Sequence, residues 1–200
     1  MRNSNKSEET TKPTHIQVSD YFYRDAADLI KRFRLVTKDP DSSFVIIKSS
    51  RFKSFIDLRM ATESILKAIV SLNVHSDLSG EKLVKRMEGY RHHLDKLMRE
   101  AEPHIPPALL EFTKSYCSEI SKLPVGLRYS LDGMSYLQAQ EKHYYKTIGN
   151  DTWLYGLRDH LTAITEHIGK ELNSHSRILS GKELLEVLQA PEFNKYKQPK

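Results

Sequence analysis

A chain of 200 residues, 38% hydrophobic and 28% charged, is long enough for one domain with a real core, and no apolar run in it approaches the roughly 18 residues of a membrane span. The basic residues at the start precede no apolar stretch, so no secretory signal is expected, and the single Cys117 forms no internal disulfide, which suits a reducing cytoplasm. The formal charge is +5, but Arg2, Lys6 and Lys12 against Glu8 and Glu9 leave +1 on residues 1–18, and Lys195, Lys197 and Lys200 against Glu192 leave +2 on residues 189–200; the remaining +2 tolerates nucleic acid without forming a dense basic stripe.

Residues 1–17 are polar and aperiodic, and they read as a disordered tail. Ser19 is a plausible N-cap for a first helix with Phe22, Ala26, Leu29, Phe33 and Val36 as its apolar stripe and an Asp28–Arg32 pair outside. That helix should end near KDPDSS at Pro40. Phe44-Val45-Ile46-Ile47 is β-branched, but with no second run to pair with it the segment is better absorbed into the approach to a second helix. In that helix Phe55, Leu58, Thr62, Ile65, Ile69 and Leu72 hold a seven-residue repeat, and Arg59, Glu63 and Lys67 make a charged ladder beside it.

Ser79 and Gly80 open a third helix whose stripe is Leu83, Met87, Tyr90, Leu94, Leu97 and Ala101, with a weak point at Gly89. Pro106 and Pro107 suit the first turn of a fourth, lined by Leu109, Leu110, Tyr116, Cys117, Ile120 and Leu123. LPVGLRYSLDG reads as an irregular connection. Met134 to Ile148 suggests a fifth helix with Gly149 as its C-cap, and Asn150 or Asp151 caps a sixth with a stripe of Leu154, Leu157, Leu161, Ile164, Ile168 and Leu172. Ser180 and Glu183 form a capping box for a short terminal helix, and residues 189–200 trail off as a polar, basic tail. The expected fold is all-α: a single bundle of five to six main helices over residues 18–188.

No Gly-rich phosphate loop, CxxC, HExxH or GxSxG occurs, which sets aside P-loop enzymes, zinc fingers, zincins and α/β-hydrolases, and no cofactor is expected. Nine histidines raise the question of a metal, but His160 and His167 are seven apart and His92 and His93 adjacent, whereas ligands sharing an ion on a helix sit three or four apart; no metal is expected. Cys117 falls on an apolar stripe, where a thiol is inert. The arginine–histidine combinations are the better candidates. Imidazole serves as acid or base near neutral pH and guanidinium holds phosphate, so together they can cleave RNA through its own 2′-hydroxyl without a metal. Arg158, His160 and His167 flank the stripe of the sixth helix; Arg86, Arg91, His92 and His93 lie on the third. The plainer readings are a polar rim without chemistry, a non-enzymatic subunit holding another protein, and a ligand pocket walled by Tyr144, Tyr145 and Trp153.

DLRMATESILKAIVSLN, Asp57 to Asn73, resembles a helix of HEPN domains, GYRHHLDKLMREA resembles their following His-x-Leu-x-x-Leu helix, and LPVGLRYSLDG falls where many members have Leu-x-x-x-Leu-Arg-Tyr; the likeness spans roughly residues 57–172. The resemblance implies a compact helical bundle, usually dimeric and here expected as a homodimer, that binds RNA or nucleotide, with many members acting as ribonucleases of toxin–antitoxin or phage-defence systems. Their signature is an Arg, four to six residues, then a His. Arg158 departs from it, with one residue before His160 and eight before His167, whereas Arg86 fits His92 or His93 with five or six between, and Arg99 fits His104 with four. The expected catalytic set is Arg86, His92, His93, Arg158 and His160, with Arg91 and His167 contacting RNA.

Overall fold

Thr14 and Gln17 exchange hydrogen bonds, the Gln17 side-chain oxygen accepting from the Thr14 amide at 2.9 Å and Thr14 Oγ1 from the Gln17 amide at 3.2 Å, and this capping box starts the first helix of the computed structural model, α1 (His15–Lys38). The structure describes residues 13–38, 48–78, 80–128 and 130–175. The Phe44–Ile47 run and the terminal helix expected at 180–188 lie outside them. Ser19, expected as the N-cap, is instead fully buried one turn into α1, and its hydroxyl donates to the Ala68 carbonyl at 2.8 Å.

The ordered elements that follow are all helical: α2 (Lys48–Ile69), running into a π turn at Val70–Val74; α3 (Gly80–Gly89); α4 (Leu94–Ala101); α5 (Pro107–Ser121); α6 (Ser130–Ala139); α7 (Glu141–Lys146); and α8 (Asp151–His175). Among the described residues there is no strand, and no helix is long and apolar enough to cross a membrane. The all-α bundle is therefore the observed class.

The heptad residues of α2 are buried to a residue: Phe55, Leu58, Thr62, Ile65, Ile69 and, in the π turn, Leu72. Side-chain contacts give the order of the rods. Ser19 meets Ala68, Asp25 meets Ser64 and Arg32 meets Asp57, so α1 runs antiparallel to α2. The last of these replaces the expected Asp28–Arg32 pair: Arg32 reaches across at 2.7 Å to a carboxylate only 9% exposed, where burial raises the Asp57 pKa and Arg32 opposes it. Tyr23 lies on Gly169, Phe33 on Tyr155 and Arg34 on Thr162, so α8 returns antiparallel to α1. Thr113 against His160 and Tyr116 against Gly156 lay α5 antiparallel along α8.

Two expected helices are each divided. The third breaks at Tyr90–His93, where Arg91 takes a left-handed φ of 46°, while Leu83, Met87, Tyr90, Leu94, Leu97 and Ala101 still all reach the core. Burial of the stripe survives because the turn rejoins the helical face. The fifth divides at Gln140 into α6 and α7, leaving Met134 and Tyr145 exposed, and the connection before it holds a 3₁₀ turn at Val125–Arg128 with Leu127 buried. Gly149 is not a left-handed cap. A Cβ there would stand 2.6 Å from the Tyr144 ring, so its bareness makes room for that ring.

Since Ile65 is 1% exposed on α2 and Val84 is 39% exposed on α3, Ile65→Ala is expected to lower unfolding free energy by about 2–5 kcal/mol and Val84→Ala by less than about 0.5, read from urea denaturation midpoints. Equal small losses would remove α2 from the centre of the fold.

Candidate functional site

The tertiary structure distributes the expected catalytic residues among separate groups of contacts. Arg158 lies 4.9 Å over the Tyr155 ring and pairs with Asp159 at 2.7 Å, on the flank of α8 facing α1. His160 points to the other flank, where its Nε2 stands 2.9 Å from Thr113 Oγ1. His167 pairs with Glu171 at 3.3 Å along the same helix.

Arg86 belongs to a knot between α3, α4 and the end of the π turn, with Nε donating to His75 at 3.2 Å, a second nitrogen reaching Glu100 at 3.3 Å, and the guanidinium 5.1 Å over Tyr90. Tyr90 donates to Glu100, and its hydroxyl is pushed up to about 12, chiefly by burial and then by that carboxylate. His92 is held elsewhere, its Nδ1 2.9 Å from Glu63, at the mouth of a groove of about 240 Å³ shared with Arg59 and Lys67. Arg91 and His93 are exposed in the turn, and the His93 side chain makes no capping bond to α4. RHH is thus a break between helices, which correct spacing along the chain did not convey: Arg86 and His92 answer to different partners. The Arg99 Nε, finally, turns back to the Asp95 carbonyl at 3.2 Å.

An open cleft of about 480 Å³ lies between α5, α7 and the start of α8, lined among others by Glu119, Lys122, Lys142, His143, Lys146 and Trp153. Its walls are set from the core. Phe52 on α2 packs against Tyr136 of α6 at 6.3 Å and Tyr144 of α7 at 5.4 Å, and Arg51, buried beside it, donates to the Ile148 carbonyl at 2.9 Å and pairs with Asp151 at 2.7 Å. With Tyr144 drawn inward, Lys142 and Lys146 of the same short helix lie exposed. Asn150 caps α8 by accepting the Trp153 amide at 3.2 Å, which fixes where the indole begins.

His143 is clamped. Glu119 accepts from its Nε2 at 3.0 Å, because a carboxylate only accepts, and Nδ1 then takes the Tyr136 hydroxyl at 2.8 Å. The hydrogen bond from Lys122, at 2.6 Å, is the main cause holding the Glu119 carboxyl below its ordinary value, with burial opposing and His143 adding to it. Burial is likewise the main cause pushing Tyr136 up to about 12. Both imidazole nitrogens are engaged, so His143 stiffens the cleft and is not a free base. What the surface offers is cationic: three ammonium groups beside an indole and a carboxylate already paired.

None of Glu119, Lys122, Lys142, His143 or Lys146 stood out in the sequence. The one available signal was Lys142, His143 and Lys146 falling within a single turn of EKHYYK. Cys117, by contrast, is where its stripe put it, 2% exposed with its thiol pushed up to about 12 by burial and then by Asp95. Among the described residues no group of three His, Cys, Asp or Glu side chains converges as a metal site. No protein-family model, no curated protein and no solved structure matches the chain.

His160 supplies a pH test of the α5–α8 seam. The Thr113 hydroxyl gives its proton to the Leu109 carbonyl at 2.8 Å, so His160 Nε2 must carry the hydrogen between them, and burial lowers the imidazole pKa below its ordinary value of 6.5. Above 6.5 both folded and unfolded chains hold it neutral; below, the unfolded chain takes up the proton first, so stability falls as pH drops through the window between 6.5 and the lower folded value. Urea midpoints of wild type and His160→Phe at pH 7.5 and 5.5 should show a smaller acid loss in the variant. An identical loss in both would mean that the ring is solvated.

Proposed function

We propose that this chain is a nucleotide- or RNA-binding helical protein of HEPN-like character, and that phosphate enters the cleft between α5, α7 and α8. The observation that supports the reading is the gathering of Lys122, Lys142, Lys146 and Trp153 around one open concavity of about 480 Å³. Ammonium groups attract phosphate and release its counterions, and an indole offers a face to a base. The ion pair of Lys122 with Glu119 leaves Lys142 and Lys146 as the more available charges.

Binding is the core of the proposal, and metal-independent RNA cleavage, with a toxin–antitoxin or phage-defence role, is its extension. Cleavage draws less support from the geometry of one chain, since Arg86, His92, Arg158 and His160 are each committed to a different partner. The extension therefore includes a homodimer, in which a second copy brings these groups together. A regulatory protein–protein role is the second reading, supported by Leu35 and Val36, 62% and 44% exposed beside a groove that also carries Arg32, Lys53 and Asp57.

Trp153 is the sole tryptophan, so its emission reports the cleft directly. Titration with AMP and with short single-stranded RNA at low salt is expected to change that emission, with affinity falling as salt rises, and Lys142→Glu combined with Lys146→Glu is expected to weaken binding by about tenfold or more. Unchanged emission with both probes would end this reading in favour of the protein-contact one. In the same preparation, incubation of RNA in EDTA checks cleavage and light scattering checks the dimer; intact RNA or a monomer withdraws that part alone.

A further inference from the structure

Four aromatic side chains follow one another along the seam of α5 and α8. Phe112 lies 6.0 Å from His160, His160 lies 5.5 Å from Tyr116, and Tyr116 lies 5.6 Å from Trp153, which is itself a wall of the lysine cleft. The row exists because α8 is bare at Gly156: a Cβ there would stand 2.7 Å from the Tyr116 hydroxyl, so a side chain would push that ring off the helix. Its inner end is anchored by Phe55 of α2, 6.2 Å from Trp153.

Core packing accounts for the inner rings and does not account for Phe112. That ring is 63% exposed at the outer end of the row, where it gains little from burial and leaves apolar surface in water. His160, whose pKa burial lowers, adds a further ring between it and Tyr116. Asp159, beside Tyr116, is already paired with Arg158 at 2.7 Å, and the cations of the cleft, along which a phosphate backbone would run, are the lysines. Rings in sequence beside a cationic groove are the arrangement by which proteins hold unpaired strands without reading their sequence, because every base has a face to stack while phosphates follow the positive charges.

We infer that the Phe112–His160–Tyr116–Trp153 row extends the cleft into a track for single-stranded nucleic acid several nucleotides long, with a base stacked on Phe112 and phosphates at Lys122, Lys142 and Lys146. The inference rests on the phosphate-binding reading of the cleft and adds the class of ligand: a strand, in preference to a mononucleotide or a duplex, whose paired bases show no faces to the rings. Nothing in the row recognises a 2′-hydroxyl, so RNA and DNA strands share the chemistry.

The experiment compares wild type, Phe112→Ala and Phe112→Tyr for binding to AMP, to single strands of about eight nucleotides as RNA and as DNA, and to the matching duplex, by anisotropy and Trp153 emission. Because one stacked base is worth about 1–3 kcal/mol, Phe112→Ala should weaken the single strands by roughly 5- to 150-fold, leave AMP as in wild type, and be reversed in Phe112→Tyr. Duplex should bind more weakly than either strand. Strand affinity unchanged in Phe112→Ala, with AMP still bound, overturns the track and leaves the cleft reading standing; equal weakening of AMP and strands also overturns it, since Phe112 would then be acting through the fold. No binding of any probe to wild type removes both together. A Phe112→Ala variant that binds strands normally but changes its size in solution assigns the face to protein contact and overturns the proposal.

Discussion

A guanidinium taken out of water needs a hydrogen-bond acceptor for what it loses, and Arg59, only 7% exposed in the middle of α2, finds one at 2.6 Å in the carbonyl of Leu123, with that of Ile120 at 3.3 Å. These oxygens belong to the last turn of α5 and the residues after it, where helical carbonyls have no partner of their own and partial negative charge collects. Burial lowers the Arg59 pKa and Glu63 opposes that shift. One buried cation thereby pins the end of α5 to the central rod. The same demand recurs along α2: Asp57 accepts from Arg32, Ser64 donates to Asp25 at 2.5 Å, and Thr62 gives its proton to the Leu58 carbonyl at 2.8 Å.

That constraint reaches the cleft. Fixing the end of α5 fixes Glu119 in its last turn and Lys122 at its C-cap, and Phe52 with Arg51 fixes α6, α7 and the start of α8 from the first turns of α2. His143 then ties the two walls through Glu119 and Tyr136. The exposed lysines are therefore mounted on a frame whose rigidity comes from buried polar bonds made by α2, and they lie outside because Tyr144 of α7 and Tyr136 of α6 are spent on the core. Preorganisation of this kind lowers the cost of binding an anion, since little ordering is left to do when it arrives.

The stripes were legible because burial follows periodicity directly. Phe55, Leu58, Ile65 and Ile69 on α2, and Leu154, Leu157, Leu161, Ile164 and Ile168 on α8, are all buried, and a side chain every three or four residues on one face of a rod has nowhere else to go. Helix ends were harder. Thr14 and Gln17 form the same kind of capping box that can be read from a motif, but Ser19 offered a nearer candidate to the stripe, and a serine hydroxyl serves equally as a cap or as a donor to a neighbouring helix. The break at Tyr90–His93 and the split at Gln140 left the apolar spacing intact, so spacing did not reveal them.

By itself the sequence determined that the described residues are all-helical and which of them form most of the core, since both follow from local spacing of apolar side chains; Val36, Met134 and Tyr145, which the same spacing put on apolar stripes, are exposed. It also placed Cys117 among buried groups, where burial raises the thiol. Only the tertiary structure decided the partners of the charged residues: that Arg32 takes Asp57 and not Asp28, that the Arg59–Glu63–Lys67 ladder lies against the fold and not in open solvent, and that Lys122, Lys142 and Lys146 share a cleft with Trp153. The physical reason is reach. Apolar burial depends on which face a residue occupies, whereas a long charged side chain chooses among partners from several helices, and that choice is made by desolvation and distance once the rods have docked.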